Sequence, residues 1–385
     1  MKKILLLTNI LPPYRVPLYN LLSRKFEEAG YKFKIAFMAE NEENRLWRVR
    51  SSELKVEAIV LPGWHKFLWR FEFPIHLNWG TWGILRRENP DVVISGGYSA
   101  LANWVALAYC KHFAKPLILW TGATKESLRG HDLLRHTLRA FFIKQANAFV
   151  TYGKKATEYL LDFGIAREAI FTGCNLGDVE FFKKAASEFR ETSEFVELRS
   201  RFKKPIILYV GQFIRRKGLL QLIEALSGLK NESWSLILVG SGLIQSKIKK
   251  KVEAEGLSDR VCFVGFKEKE EVAKFYSVAD IFVLPSLQEP FAIVVSEALA
   301  SGLFVVASRY DGAAWDLIEE GTNGLIVDPA DVTSLREGIR KALEIVRNPA
   351  FNREEIIRSI ANFGLERYAQ AFIDATLYVV RKKLY

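Results

Sequence analysis

The sequence predicts an α/β fold built of two doubly wound parallel sheets, one in each half of the chain. Three observations carry this prediction. Short apolar and β-branched runs alternate with helical patterns along all 385 residues. Several of the runs are apolar almost end to end, as strands covered by helices on both faces must be. A charged stretch without a strand, AASEFRETSEFVELRSRFKK (185–204), comes before a fresh strand at Pro205, in a chain whose length suits two domains.

In the first half the expected strands are KILLLTN (3–9), FKIAFMA (33–39), DVVISGG (91–97), PLILWTG (116–122) and AFVTYG (148–153). In the second they are PIILYVG (205–211), SLILVGSG (235–242), VCFVGF (261–266), IFVLPS (281–286), LFVVAS (303–308) and GLIVD (324–328). SLREGIRKALEIV (334–346) and the last 20 residues, ERYAQAFIDATLYVVRKKLY, read as amphipathic helices. These elements place a first domain at 1–190, a linker at 191–204 and a second domain at 205–365, with 366–385 as a closing helix. There is no fixed-period repeat and no low-complexity tract.

Composition excludes several classes. Nearly half the residues are apolar, which is a globular rather than a disordered composition. No apolar run approaches the roughly 20 residues that span a bilayer. The opening MKKILLLTNI has a cationic start and a short apolar block but no small-residue cleavage site, so it reads as a first strand rather than a leader. Three scattered cysteines, Cys110, Cys174 and Cys262, form neither a disulfide framework nor a zinc pattern. The expected compartment is therefore the reducing cytoplasm. Residues 1–190 hold 28 Lys and Arg against 18 Asp and Glu, while the rest hold 27 against 26. The net charge of +11 thus sits almost wholly in the first half. Either an anionic partner or a plain solvated basic surface accounts for it.

The segment QEPFAIVVSEALA (288–300) sets two carboxylates, Glu289 and Glu297, in an apolar run. It follows a strand, and Pro290 suits the first turn of a helix. Glu289 is then expected at the cap and Glu297 about two turns into the helix. Eight helical residues rise about 12 Å, too far for a glycosidase pair at roughly 5–9.5 Å. The spacing suits two grips on an elongated, hydroxyl-rich ligand whose phosphates sit at the helix start between them. A nucleotide sugar has that order of groups. The plainer alternative is a helix cap plus a surface ion pair.

LYVGQFIRRKGLLQLIEAL (208–226) runs strand, glycine, basic loop, glycine, helix. Arg215, Arg216 and Lys217 stand at a helix start, where the dipole disfavours cations unless an anion neutralises them. A bound phosphate resolves the conflict; a solvated basic loop is the alternative. VGSG (239–242) offers a further close approach of backbone but is not the dinucleotide fingerprint, since Gln245 stands where the third glycine falls.

Taken in order, Gly211 to Gly218 as G-x-x-x-x-x-K-G, the VGSG turn, FVGF (263–266), ADIFVLPSLQEPF (279–291), the E-x7-E pair and GTNGLIVDPAD (321–331) resemble the retaining glycosyltransferases of family 4, the glycosyl transferases group 1. The likeness is strong over 205–345. It is looser through NILPPYRVPLYNLL (9–22), NPDVVISGGYS (89–99) and CNLGDVEFF (174–182). It implies the GT-B fold, two facing Rossmann-like domains with the C-terminal helix crossing back to the first. It implies a UDP- or GDP-sugar donor, a hydroxyl acceptor on a polysaccharide or lipid-linked glycan precursor, and no metal or other cofactor. Lys217 is implied at the donor's diphosphate and Glu289 at the transferred sugar's hydroxyls. Phe291, Ala292 and Ile293 are implied at the sugar and phosphate, and Glu297 at the ribose. Gly211, Gln212, Arg215, Arg216, Gly240 and Phe266 complete the donor side.

The sequence departs from the family pattern at several points. Gln212 replaces an arginine, a role left to Arg215 or Arg216. Ala292 replaces the glycine after E-P-F. Leu11-Pro12-Pro13-Tyr14-Arg15 replaces a glycine-rich loop, and Trp120-Thr121-Gly122 stands where a histidine is usual. Tyr14, Arg15, Thr121 and His131 are the candidates on the acceptor side, though His131 also reads as an ordinary loop residue.

WHKFLWRFEFPIHLNWGTWGILRR (64–87) combines Trp64, Trp69, Trp79 and Trp82 with cations. It is expected either to touch an anionic membrane from the cytoplasmic side or to form a buried loop and a short helix. No nucleic-acid recognition module is present. Two rival functions stay open: an epimerase or phosphorylase on the same fold, and a nucleotide-sugar-binding protein without turnover.

Overall fold

The computed structural model describes residues 1–47, 51–68, 72–126 and 133–382. The chain divides into two compact units, Met1–Cys174 with Leu365–Tyr385, and Asn175–Gly364. Among the described residues no helix is long and apolar enough to cross a membrane.

The strands of the first unit are β1 (Lys2–Thr8), β2 (Tyr31–Phe37), β3 (Glu57–Val60), β4 (Trp64–Leu68), β5 (Phe73–Leu77), β6 (Val92–Ser95), β7 (Leu117–Thr121), β8 (Ala148–Thr151) and β9 (Ile170–Thr172). Seven of them form one sheet in the order β3-β2-β1-β6-β7-β8-β9, and β4 and β5 pair as a separate hairpin. Every pairing within the large sheet is parallel. The second unit holds β10 (Ile206–Val210), β11 (Ser235–Val239), β12 (Val261–Gly265), β13 (Ile281–Leu284), β14 (Phe304–Ser308) and β15 (Gly324–Val327). Their order is β12-β11-β10-β13-β14-β15, again all parallel. Chain order therefore reverses between β1 and β6 in one sheet and between β10 and β13 in the other. In open α/β sheets, the crevice beyond the strand ends at such a reversal is where ligands bind.

All eleven strands expected from the sequence are present. The structure adds β3, β9 and the β4–β5 hairpin. β3 is an exposed four-residue edge and β9 has three residues, too short for a hydrophobic period to show. In the hairpin Trp64 lies opposite Leu77, and His65 opposite His76, where the sequence pointed to a buried loop or an interfacial segment; the short helix expected before the DVVIS strand is present as Thr81–Glu88. Trp64 and Trp79 are exposed; Trp69 lies outside the described residues.

The domain limits need correction. The helix Val179–Arg190 and the expected linker, which folds as the helix Ser193–Ser200, both belong to the second unit. Phe182 is buried with its ring 5.4 Å from that of Tyr276. Arg190 donates to the Ser301 carbonyl at 2.5 Å, and Arg199 to Asp280 at 2.8 Å. The stretch is charged because these arginines reach helix-end carbonyls and the Asp280 carboxylate, so composition alone concealed its packing.

The helix Leu365–Lys382 belongs to the first unit. Tyr368, Phe372, Ala375 and Val379 recur at helical spacing and join the core of Leu18, Phe26, Ile118, Trp120 and Val150. Phe372 is fully buried and its ring centre lies 5.2 Å from that of Trp120. Phe372→Ala should destabilise the first unit by about 3–5 kcal/mol. Chemical denaturation followed by hydrogen exchange should show earlier opening of β1, β7 and β8, with the strands of the second unit unchanged.

Candidate functional site

The site in the second unit is built at the reversal between β10 and β13. After β10 the chain turns at Gly211, whose φ is 156° and whose N–H donates to the Val239 carbonyl at 3.0 Å. A Cβ on Gly240 would stand 1.9 Å from the Gly211 carbonyl oxygen, so the two strand ends approach as only glycine allows. Phe213 donates to the Ser241 carbonyl at 2.8 Å and accepts from Ile244 N–H at 3.0 Å. Arg215–Lys217 then form one 3₁₀ turn, closed by Gly218 in the left-handed region. A Cβ there would fall 1.8 Å from the Pro285 carbonyl oxygen. Leu287 N–H donates to the Arg216 carbonyl at 2.7 Å. The basic turn is thus clamped on one side to the end of β11 and on the other to the loop after β13.

That clamp delivers the cations to a carboxylate. Lys217 Nζ bonds Glu289 Oε2, and Arg216 Nη1 lies 3.8 Å from the same oxygen. Glu289 is only 8 % exposed, so its charge needs those partners. Arg215 points out and is exposed. The question left by Gln212 is therefore answered in space: Arg216, not Arg215, is the arginine turned into the site.

Asp311, which the sequence reading missed, holds the acidic loop. It lies just past β14 and is fully buried. Its Oδ1 accepts from Ala292 N–H at 2.8 Å and Ala313 N–H at 3.1 Å. Burial, then the neighbouring charge of Glu289, push its carboxyl well above the usual range. The same region carries an isolated parallel bridge between Glu289 and Asp311. These bonds keep the chain extended through Ala292, and the helix begins only at Ile293. Pro290 therefore sits in the loop, not in the first helical turn as expected, and Glu297 lies little more than one turn into the helix. An Asp directly before a Gly-Ala-Ala helix start was the available signal; its reach across to Ala292 was not.

Glu297 is no surface ion pair. It is 7 % exposed; Tyr276 Oη donates to its Oε2 at 3.0 Å, and a Cβ on Gly177 would meet its Oε1 at 2.9 Å. Burial raises its carboxyl from 4.5 to about 7 against the opposing Tyr276 bond and Lys269 charge. Phe291 and Ala292 are buried beside the helix start, and Ile293 is half-buried. Gly240 donates to the Gly265 carbonyl at 2.8 Å, which places Phe266, itself 37 % exposed, just beyond this turn. Gln212 stands under Tyr209, whose Oη donates to the Gln212 carbonyl at 3.0 Å.

The acceptor-side candidates divide. Tyr14 and Arg15 line a cavity of about 150 Å³ at the reversal between β1 and β6. Thr121 is spent locally, its Oγ1 accepting from Ala123 N–H at 3.1 Å. His131 lies outside the described residues. Among the described residues no group of three or more His, Cys, Asp or Glu is placed to hold a metal ion.

The raised carboxyl of Glu297 has a consequence for stability. Between about pH 4.5 and pH 7 the folded protein keeps a proton that the unfolded chain releases. Wild-type stability should therefore fall, relative to Glu297→Gln, as pH rises through that window, by at most about 3 kcal/mol, and level off above it. Urea midpoints of both proteins across the window check this; parallel curves would contradict it.

Residues 191–356 match the family model of the Glycosyl transferases group 1. Alpha-D-kanosaminyltransferase of Streptomyces kanamyceticus is 32 % identical over 168 residues, 42 % of each chain. The lipopolysaccharide core biosynthesis glycosyltransferase LpsE of Rhizobium meliloti is 28 % identical over 304 residues, 77 % of this chain and 78 % of that one. The match thus spans less than half of the Streptomyces protein. The fold superposes on Anabaena HepE in complex with UDP and glucose with a TM-score of 0.74 at 17 % identity, over 98 % of this chain and 99 % of that one. The clamped cationic turn and the Asp311-held acidic loop lie inside the matched residues: 191–356 match the glycosyl transferases group 1 model, and the chain has the GT-B fold.

Proposed function

We propose that the chain is a retaining glycosyltransferase. It moves a sugar from a UDP- or GDP-sugar to a hydroxyl on a polysaccharide or lipid-linked glycan precursor, without a metal. The single observation that carries this reading is the cluster of Lys217, Arg216 and Glu289 at the strand reversal of the second sheet, beside the start of the helix Ile293–Ala300. Two cations and a helix N-terminus suit a diphosphate. The carboxylate suits the hydroxyls of the sugar attached to it. The UDP and glucose held by the Anabaena neighbour and the lipopolysaccharide role of the Rhizobium relative favour such a donor and such an acceptor.

In the proposed step the bond from the anomeric carbon to the β-phosphate oxygen breaks. The acceptor oxygen bonds to the same face of that carbon, and its proton passes to the departing phosphate oxygen. Arg216, Lys217 and the N–H groups at Ile293 stabilise the charge growing on that phosphate, the part a metal plays elsewhere. When the diphosphate takes Lys217, Glu289 is released from its ion pair to accept from the sugar hydroxyls. Glu297 accepts from the ribose. The cytoplasm is the proposed compartment. Peripheral contact with an anionic membrane is supported by Leu134, Leu138 and Phe141, exposed at helical spacing on the helix Leu133–Gln145 among Arg135 and Lys144.

Lys217→Ala should leave the fold intact and lower turnover by roughly 100-fold or more. Assays with UDP- and GDP-sugars, with magnesium and with chelator, test this; wild-type turnover in the variant, or activity only with magnesium, would count against the reading. Glu289→Gln should narrow the preference between epimeric donor sugars, by about tenfold for a lost charged hydrogen bond. Competition between two epimers in one reaction reads that ratio.

A further inference from the structure

Arg15 is a buried cation of the first unit. It is 7 % exposed and follows the loop after β1. Its guanidinium carbon lies 4.4 Å from the ring centre of Trp120, 5.2 Å from Tyr152 and 5.6 Å from Tyr14, and its Nη1 donates to Tyr368 Oη at 3.2 Å. Among the described residues no carboxylate lies within ion-pairing distance of it. Burial pushes the neighbouring hydroxyls of Tyr19, Tyr152 and Tyr368 up, so they stay neutral at physiological pH. A buried guanidinium with only uncharged partners is costly unless an anion completes it.

The surroundings leave room for one. Arg15 lines the cavity of about 150 Å³ that opens past Thr8 and Gly96, the crevice where the first sheet reverses order. A Cβ on Gly96 would already stand 3.0 Å from Thr8 Oγ1, so glycine keeps the mouth clear. The lining also holds an ion pair, Arg45 with the Glu42 carboxylate at 3.6 Å; the Arg45 guanidinium covers Trp47 at 4.7 Å, and its buried Nε–H has no hydrogen-bond acceptor. Tyr14 and Trp47 meet edge to face at 6.1 Å, and Trp47 Nε1–H is buried without an acceptor. Aromatic faces beside an unspent polar donor suit a sugar ring.

We infer that this cavity is a subsite for an acidic acceptor sugar, its phosphoryl or carboxylate group seated on Arg15 and its ring against Tyr14 and Trp47. The inference rests on the glycosyltransferase reading for the word acceptor, but the anion site stands on the first unit alone. Arginine meets phosphate and carboxylate through paired N–H groups, so the two chemistries share one seat.

Calorimetric titration of the whole chain, with UDP at saturation to occupy the phosphate site of the second unit, tests it. The probes are glucose-6-phosphate, glucuronate, glucose and inorganic phosphate. The acidic sugars should bind at least about tenfold more tightly than glucose, and the stronger of the two names the natural group. Arg15→Gln should lose that preference, and Arg15→Lys should keep part of it. Trp47→Ala should weaken both acidic sugars while leaving inorganic phosphate unchanged. Equal binding of glucose, no binding of either acidic sugar, or undiminished binding by a folded Arg15→Gln would overturn the inference. If Arg15→Gln does not fold, unchanged acidic-sugar binding by Trp47→Ala overturns it. Nucleotide-sugar turnover, measured separately, judges the transferase reading: acidic-sugar binding without turnover sinks that reading and spares the subsite, and turnover without such binding does the reverse.

Discussion

One buried carboxylate organises the second unit's site. Glu289 has almost no solvent, and the basic turn that meets it offsets the cost of burying its charge. That turn reaches it because glycines at 218 and 240 let the ends of β10, β11 and β13 approach more closely than any side chain would permit. The backbone contacts and the ion pair support one another. Without the glycines the cations would stand off, and without the cations the acidic loop would carry an uncompensated charge. Asp311 adds a second constraint from below, holding Ala292 and Ala313 by their N–H groups and keeping the loop extended until the helix starts.

The two sheets solve the same geometric problem with opposite chemistry. Each offers a crevice where strand order reverses. In the second, two cations surround a carboxylate and the positive end of a helix lies beside them. In the first, Arg15 lies in a box of tryptophan and tyrosine, apart from the Arg45–Glu42 ion pair of the same crevice. The ion-paired crevice is already neutralised and exchanges partners when a ligand arrives. The aromatic one holds a standing charge whose partner is still to come.

Much of this was legible in the sequence, and the reasons differ by residue. Lys217 and Glu289 could be read because strand, glycine and turn follow at fixed spacing, so local order alone places them at strand ends. The same holds for both sheets, whose strands are continuous apolar runs. Arg216 could not be told from Arg215, since one turn of 3₁₀ helix decides which side chain faces inward. The start of the helix after Pro290 was misplaced because a tertiary bond from Asp311 overrides the local preference of proline. The helices at 179–200 looked like a tether because their arginines seek carbonyls of other elements, information that lies outside the segment. Arg15 was visible as a charge, but Trp120, Tyr152 and Tyr368, from three distant stretches, were not visible as its box.

The placement of the last helix bears on how the protein is made. Domains usually fold in the order of synthesis, but here the first sheet lacks one cover until the whole middle of the chain has been translated. Tyr368, the far wall of the box around Arg15, arrives last of all. Residues 175–364 can therefore complete their core on the ribosome while the earlier sheet waits with an open apolar face, a nascent state that chaperones would be expected to shield.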